Sequence, residues 1–111
     1  MRKMRMLVLA ALLALTVGVV ADVAFAATKS VGVRKSGTRY LFSPSSVSIK
    51  RGDSIRWSWR GAVPHNVSGP GFRSRTAARL TYTRRFTKRG SYRVVCTLHR
   101  ALGQVMTVRV R

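Results

Sequence analysis

Acidic residues are almost missing from this chain. Across 111 residues there are two, Asp22 and Asp53, against 22 lysines and arginines, for a formal net charge of +20. Mechanisms that need two facing carboxylates, such as standard glycoside hydrolysis or an aspartic dyad, are thereby excluded for any domain that begins after Asp22. Cysteine is equally scarce. Cys96 stands alone, so no disulfide can form within one copy. The thiol needs another explanation: a buried small apolar residue, a crosslink between copies, a reactive group or a metal ligand. Histidine occurs twice, at His65 and His99. Long helical periodicity is also missing. No window after Ala27 repeats its apolar residues at 3.6, and at most a short helical turn fits around Thr76–Arg79.

What is present begins with an address. Arg2, Lys3 and Arg5 precede an uncharged apolar run from Met6 to Ala21, and Ala24-Phe25-Ala26 follows the small-x-small pattern of a cleavage site. The run is shorter than the roughly 20 residues of a spanning helix and ends at Asp22. The expectation is a signal peptide over 1–26 and a mature domain over 27–111. The product would be exported, to the periplasm, the cell surface or the medium, with no transmembrane span after cleavage. Loss of Arg2, Lys3, Arg5 and Asp22 brings the charge from +20 to about +18. That leaves one small domain, monomeric by expectation, with a core so limited that a staple such as a metal is commonly required.

The rest of the chain has a period of two. Val31 and Val33, Val47 and Ile49, Ile55, Trp57 and Trp59, Tyr92, Val94 and Cys96, and Met106, Val108 and Val110 each alternate with small, polar or basic residues. Half-buried strands have this pattern, with apolar side chains inward and arginine outward. Lys35-Ser36-Gly37, Ser43-Pro44-Ser45, Arg51-Gly52-Asp53, Ser68-Gly69-Pro70-Gly71 and Lys88-Arg89-Gly90 punctuate the runs as turns. The stretch from about Gly69 to Ala78 is the least strand-like and is expected to be a loop. Several short strands with regular turns predict an all-β sandwich or barrel. Arginines at outward strand positions are ordinary solvated charges that also discourage edge-to-edge aggregation. That accounts for their positions but not for the missing acids.

The chemistry-bearing residues are Pro64-His65-Asn66 and Cys96-Thr97-Leu98-His99. Two imidazoles and one thiolate make the equatorial set of a trigonal copper site, to which a weak axial ligand is added. A strand delivering Cys96 and a tight loop after it can return His99 to the same metal. His65 reaches that metal only if the fold brings two distant segments together. Taken singly, His65 would be a surface histidine, Cys96 a buried apolar residue, and Trp57 and Trp59 core residues.

The order Phe42-Ser43-Pro44, Arg51-Gly52-Asp53-Ser54-Ile55-Arg56-Trp57, Pro64-His65-Asn66-Val67, Phe86, then Gly90-Ser91-Tyr92-Arg93-Val94-Val95-Cys96-Thr97-Leu98-His99 and a final apolar strand through Val110 resembles the plastocyanin-like cupredoxins across nearly the whole mature domain. The resemblance implies a Greek-key sandwich of about seven to eight strands holding one type 1 copper. His65, Cys96 and His99 would be its ligands, and Asn66 would tie the His65 segment to the cysteine strand. One position departs from the pattern. Plastocyanins place methionine five residues after the second histidine, where this chain has Gln104. Either Gln104 is the axial ligand, as in the stellacyanin-like branch, or Met106 reaches the copper instead. The ordinary alternatives are a solvent-facing Gln104 and a core-filling Met106.

Three functions follow from these readings. The first is a one-electron carrier, not an enzyme, since four protein ligands leave no open position for a substrate. Its redox partner would be acidic, or the protein would rest against an anionic cell surface. The second is copper storage or delivery with the same ligands. The third is a metal-free basic module for anionic partners. Specific nucleic-acid binding is not expected, because the arginines are spread over all strands without an aromatic RNA-binding signature.

Overall fold

A computed structural model describes residues 25–111. The expected signal segment lies outside the described residues as far as position 24. Nine strands follow in order: β1 (Thr28–Ser36), β2 (Arg39–Ser43), β3 (Ser46–Ile49), β4 (Ser54–His65), β5 (Ser68–Gly69), β6 (Phe72–Arg73), β7 (Ala77–Arg85), β8 (Gly90–Val95) and β9 (Val105–Val110). They form a four-stranded sheet ordered β2-β1-β4-β7 and a five-stranded sheet ordered β3-β9-β8-β5-β6. β1 runs parallel to β4 and β3 parallel to β9, while the other pairings are antiparallel. The all-β expectation holds, with two of the nine strands only two residues long.

The period-two pattern decides which residues enter the core. Along β4, Ile55, Trp57 and Trp59 are buried, while Arg56, Ser58 and Arg60 are exposed. Across the sandwich, Val47, Ile49, Val94, Met106, Val108 and Val110 close on them from the second sheet. Successive side chains of a strand point to opposite faces, so a one-residue slip would put the tryptophans in water and the arginines inside. Trp57 at the centre buries its ring among Phe72, Tyr82 and Phe86. Its indole N–H donates to the Met106 sulfur at 3.2 Å, which provides the partner a buried indole needs.

Two sequence expectations are corrected. The stretch from Gly69 to Ala78 is not simply a loop. It contains part of a tight hairpin in which Ser68 pairs with Arg73 and Gly69 with Phe72. The Phe72 ring lies where a side chain on residue 69 would stand, so glycine is what allows it to close over the core. Thr76–Arg79 is not helical either. Ala77 and Arg79 pair with His65 and Arg60 of β4, and this ladder overrides any local preference. Among the described residues, the helical turn is a 3-10 turn at Arg100–Leu102.

β4 links the two ends of the sandwich. Just before it, Asp53 accepts hydrogen bonds from the Ala27 amide at 2.9 Å and the Lys50 amide at 3.0 Å. These amide donors, the Ala27 amide foremost, hold its carboxyl below the ordinary aspartate range, with Lys50 and Lys29 adding to the effect. At the other end, pairing with β7 is irregular between Arg60 and His65. An irregularity of this kind re-aims a strand and is common beside functional sites.

Candidate metal centre

His65, the last residue of β4, is buried at 3% exposure. Cys96 follows β8 directly and is fully buried, whereas His99, three residues later, is partly exposed. The compact segment between β8 and β9 is braced by its own backbone. The His99 amide donates to the Cys96 carbonyl at 3.2 Å, the Gln104 amide to the His99 carbonyl at 3.1 Å, and the Cys96 amide to the Gln104 carbonyl at 3.1 Å. Gly103 turns the chain with φ +89°, a value that side-chain-bearing residues rarely adopt. Tight closure of this segment brings thiol and imidazole together.

The three potential ligand atoms of His65, Cys96 and His99 lie within 4.8 Å of one another. Cys96 Sγ is 3.5 Å from His99 Nδ1. Gln104, wholly buried, joins them: its Oε1 is 3.0 Å from His65 Nδ1 and 2.9 Å from His99 Nδ1. The other end of the amide is tied down, with Nε2 donating to the Leu41 carbonyl at 3.1 Å and, more loosely, to the Arg34 carbonyl at 3.4 Å. Those two bonds determine which way the amide faces. Nitrogen turns to β1 and β2, oxygen to the two imidazoles. A solvent-facing Gln104 is therefore excluded. Met106 is also buried, but its sulfur accepts from the Trp57 indole within the core.

Asn66 joins the segment after His65 to the segment after Cys96. Its Nδ2 donates to Thr97 Oγ1 at 2.8 Å and Thr76 Oγ1 at 2.9 Å, and its Oδ1 accepts from the Thr97 amide at 2.9 Å. The segment carrying His65 is thus locked to the one carrying Cys96. Tyr40 was not singled out from the sequence. Its ring stacks on His99 with centroids 4.0 Å apart and planes 21° apart, fixing the imidazole on its partly exposed side. Nothing local marks Tyr40, which opens the apolar run Tyr40-Leu41-Phe42 of β2. On the inner side, Trp59 meets His65 edge-on at 6.4 Å.

Burial disfavours the charged form of His65 and lowers its pKa from the ordinary histidine value. The Gln104 carbonyl partly opposes this by accepting from the ring, and His99 nearby lowers it further. A neutral imidazole with a free lone pair is the form that binds a metal. The donor chemistry fits copper: thiolate sulfur, two imidazole nitrogens and an amide oxygen, the set found where a weak axial ligand completes a trigonal site.

No profile of a known protein family matches the chain. Amicyanin-alpha of Methylorubrum extorquens is 35% identical over 66 residues, covering 52% of this chain and 56% of that protein, so the likeness spans little more than half of the relative. Among solved structures, pseudoazurin from Methylobacterium extorquens AM1 superposes with a TM-score of 0.63 at 26% identity, covering 75% of this chain and 74% of that one. Plastocyanin from Dryopteris crassirhizoma gives 0.63 at 17% identity over 74% of this chain and 99% of its own, a likeness of fold alone. The chain thus has the fold of the cupredoxins, and in sequence it is similar to amicyanin and pseudoazurin over part of its length.

Proposed function

We propose that the protein is an exported one-electron carrier that holds a single type 1 copper through His65, Cys96 and His99, with the Gln104 amide oxygen as the weak axial donor. The observation that carries this reading is the convergence of four donor atoms on one buried point, with the Gln104 oxygen facing the imidazoles because its nitrogen is held by backbone carbonyls. Met106 is read as a core residue, since its sulfur already serves the Trp57 indole.

Copper bound there supplies a one-electron couple. The chain's own residues do the rest. Tyr40 and Asn66 hold the ligand-bearing segments in one arrangement, so little has to move when charge changes. Burial of His65 and Cys96 excludes water. His99, partly exposed, lies between Leu98 and Leu102, which are 51% and 60% exposed. An exposed apolar patch beside the most accessible donor suits brief contact with a redox partner. The positive charge favours an acidic one.

Export is part of the same reading. β1 starts one residue after Ala27, whose backbone nitrogen is bonded to Asp53. Cleavage after Ala26 would convert that nitrogen to an α-ammonium beside the only acid of the domain.

The test is the optical and EPR spectrum of the exported protein with one equivalent of Cu(II), alongside Cys96→Ser. An intense thiolate-to-copper band with small copper hyperfine splitting is expected, and Cys96→Ser should lose it. A pale spectrum with ordinary splitting in the native protein would sink the type 1 assignment. Mass spectrometry of the same preparation should give a chain starting at Ala27; a retained leader would overturn the cleavage reading alone.

A further inference from the structure

Among the described residues, the cations on the strands avoid facing one another across a ladder, with a single exception. On the outer faces of both sheets, each basic residue paired across a ladder faces a neutral one. Arg93 faces Thr107, Arg109 stands between Ser48 and Ser91, Arg56 between Ser30 and Thr83, and Arg85 opposite Ser54. Among the described residues, only Arg60 and Arg79 are directly opposite as two cations. Like charges in that position destabilise a sheet. Asp53, the domain's only acid, sits at the other end of β4 and cannot relieve them. At this rung the surface opens into a groove of about 410 Å³ lined by Ser58, Trp59, Arg60, Arg79, Leu80 and Thr81. The neighbouring rung on the same face pairs Ser58 with Thr81, both exposed. Two guanidinium groups and two hydroxyls, all donors, thus share one open recess with no acceptor charge.

We propose that Arg60 and Arg79 form an oxyanion site whose ligand is phosphate, free or borne on a larger molecule, with Ser58 and Thr81 donating from the adjacent rung. A carboxylate is satisfied by one guanidinium fork. Phosphate offers oxygens to two forks at once and carries more charge, which matches a doubled cation. The site explains why the one unfavourable rung is tolerated: bound anion turns repulsion into a bridge. It stands independently of the metal reading, because none of its four polar residues is a metal ligand.

Titration calorimetry with inorganic phosphate in sodium chloride at matched ionic strength tests it on the native protein, Arg79→Gln and Arg93→Gln. The last removes equal charge from a rung where arginine faces threonine. Native protein and Arg93→Gln should bind phosphate alike, and Arg79→Gln should bind about tenfold more weakly, the loss of one charged bidentate contact. Arg79→Lys, which keeps the charge but not the fork, should also bind more weakly than native. Co-sedimentation with phosphatidylglycerol vesicles forms the second arm. Dependence on Arg79 there, with no binding of free phosphate, would assign the site to phosphate carried on a lipid. Equal losses in Arg79→Gln and Arg93→Gln in both arms would show only the general charge of the surface and overturn the site. So would absence of binding in both.

Discussion

The two ends of β4 meet the same physical demand in different ways. At its start, Asp53 is nearly buried and each carboxylate oxygen accepts a backbone amide. At its end, His65 shares the Gln104 oxygen with His99, and Cys96 approaches His99. Buried polar groups must be paired. The Asp53 end spends its acceptors on local backbone and closes the fold. The His65 end gathers two ring nitrogens, a thiol and an amide oxygen that take one another as partners around a single point. One end spends its polar groups on local backbone, and the other sets potential metal-ligating side chains against one another, where a metal would compete with the protons they share.

The strongest way to break the contrast is Asn66→Ala. It removes two hydrogen bonds between the two ligand-bearing segments and a third to Thr76, and leaves the Thr97 amide without its acceptor. A loss of about 2 to 3 kcal/mol is expected by denaturant unfolding, together with a displaced thiolate-to-copper band in the copper-loaded protein. An unchanged band and full stability would mean that the segments are held by something else.

A pH series on the metal-free protein separates the two ends by titration window. His65 has a depressed pKa in the fold, so the unfolded chain takes up a proton first. Its contribution is therefore full above about pH 6.5 and is lost as pH falls below it. Asp53 is also depressed, so its contribution persists through that range and is lost only as pH falls below about 3.9. Thermal unfolding should show two separate declines. Asp53→Asn should lower stability at neutral pH and remove the acid decline; retention of that decline would detach it from Asp53.

The smallest effect on stability, and the sharpest on function, belongs to Gln104→Met. Loss of the amide donor to two carbonyls costs about 1 kcal/mol. An amide oxygen is harder than a thioether and favours Cu(II), so voltammetry should give the native protein a lower reduction potential than the variant. A higher native potential would remove Gln104 from the axial role.

Much of this protein was legible in its sequence. Alternation fixed which residues of β4, β8 and β9 face inward, because a strand's side chains have no other period. His65, Cys96 and His99 stood out because two histidines and one cysteine were all the chain possessed. The hairpin at β5 and β6 and the start of β7 were not legible, since a two-residue strand has no periodicity and Ala77–Arg79 is extended only because β4 lies beside it. Tyr40 was invisible for a similar reason: the ring it stacks on is 59 positions away in sequence (from 40 to 99) and adjacent only in space.

The sequence by itself determined the sandwich, the inward faces and the donor types, because these depend on periodicity and on which side chains exist. Only the tertiary structure decided how the donors face one another. Gln104 could have pointed to water or to the imidazoles, and the choice was made by the carbonyls of Arg34 and Leu41. Arg60 and Arg79 were two surface cations among many until the β4–β7 register set them opposite each other. Orientation and register belong to long-range pairing, and no local property of the chain encodes them.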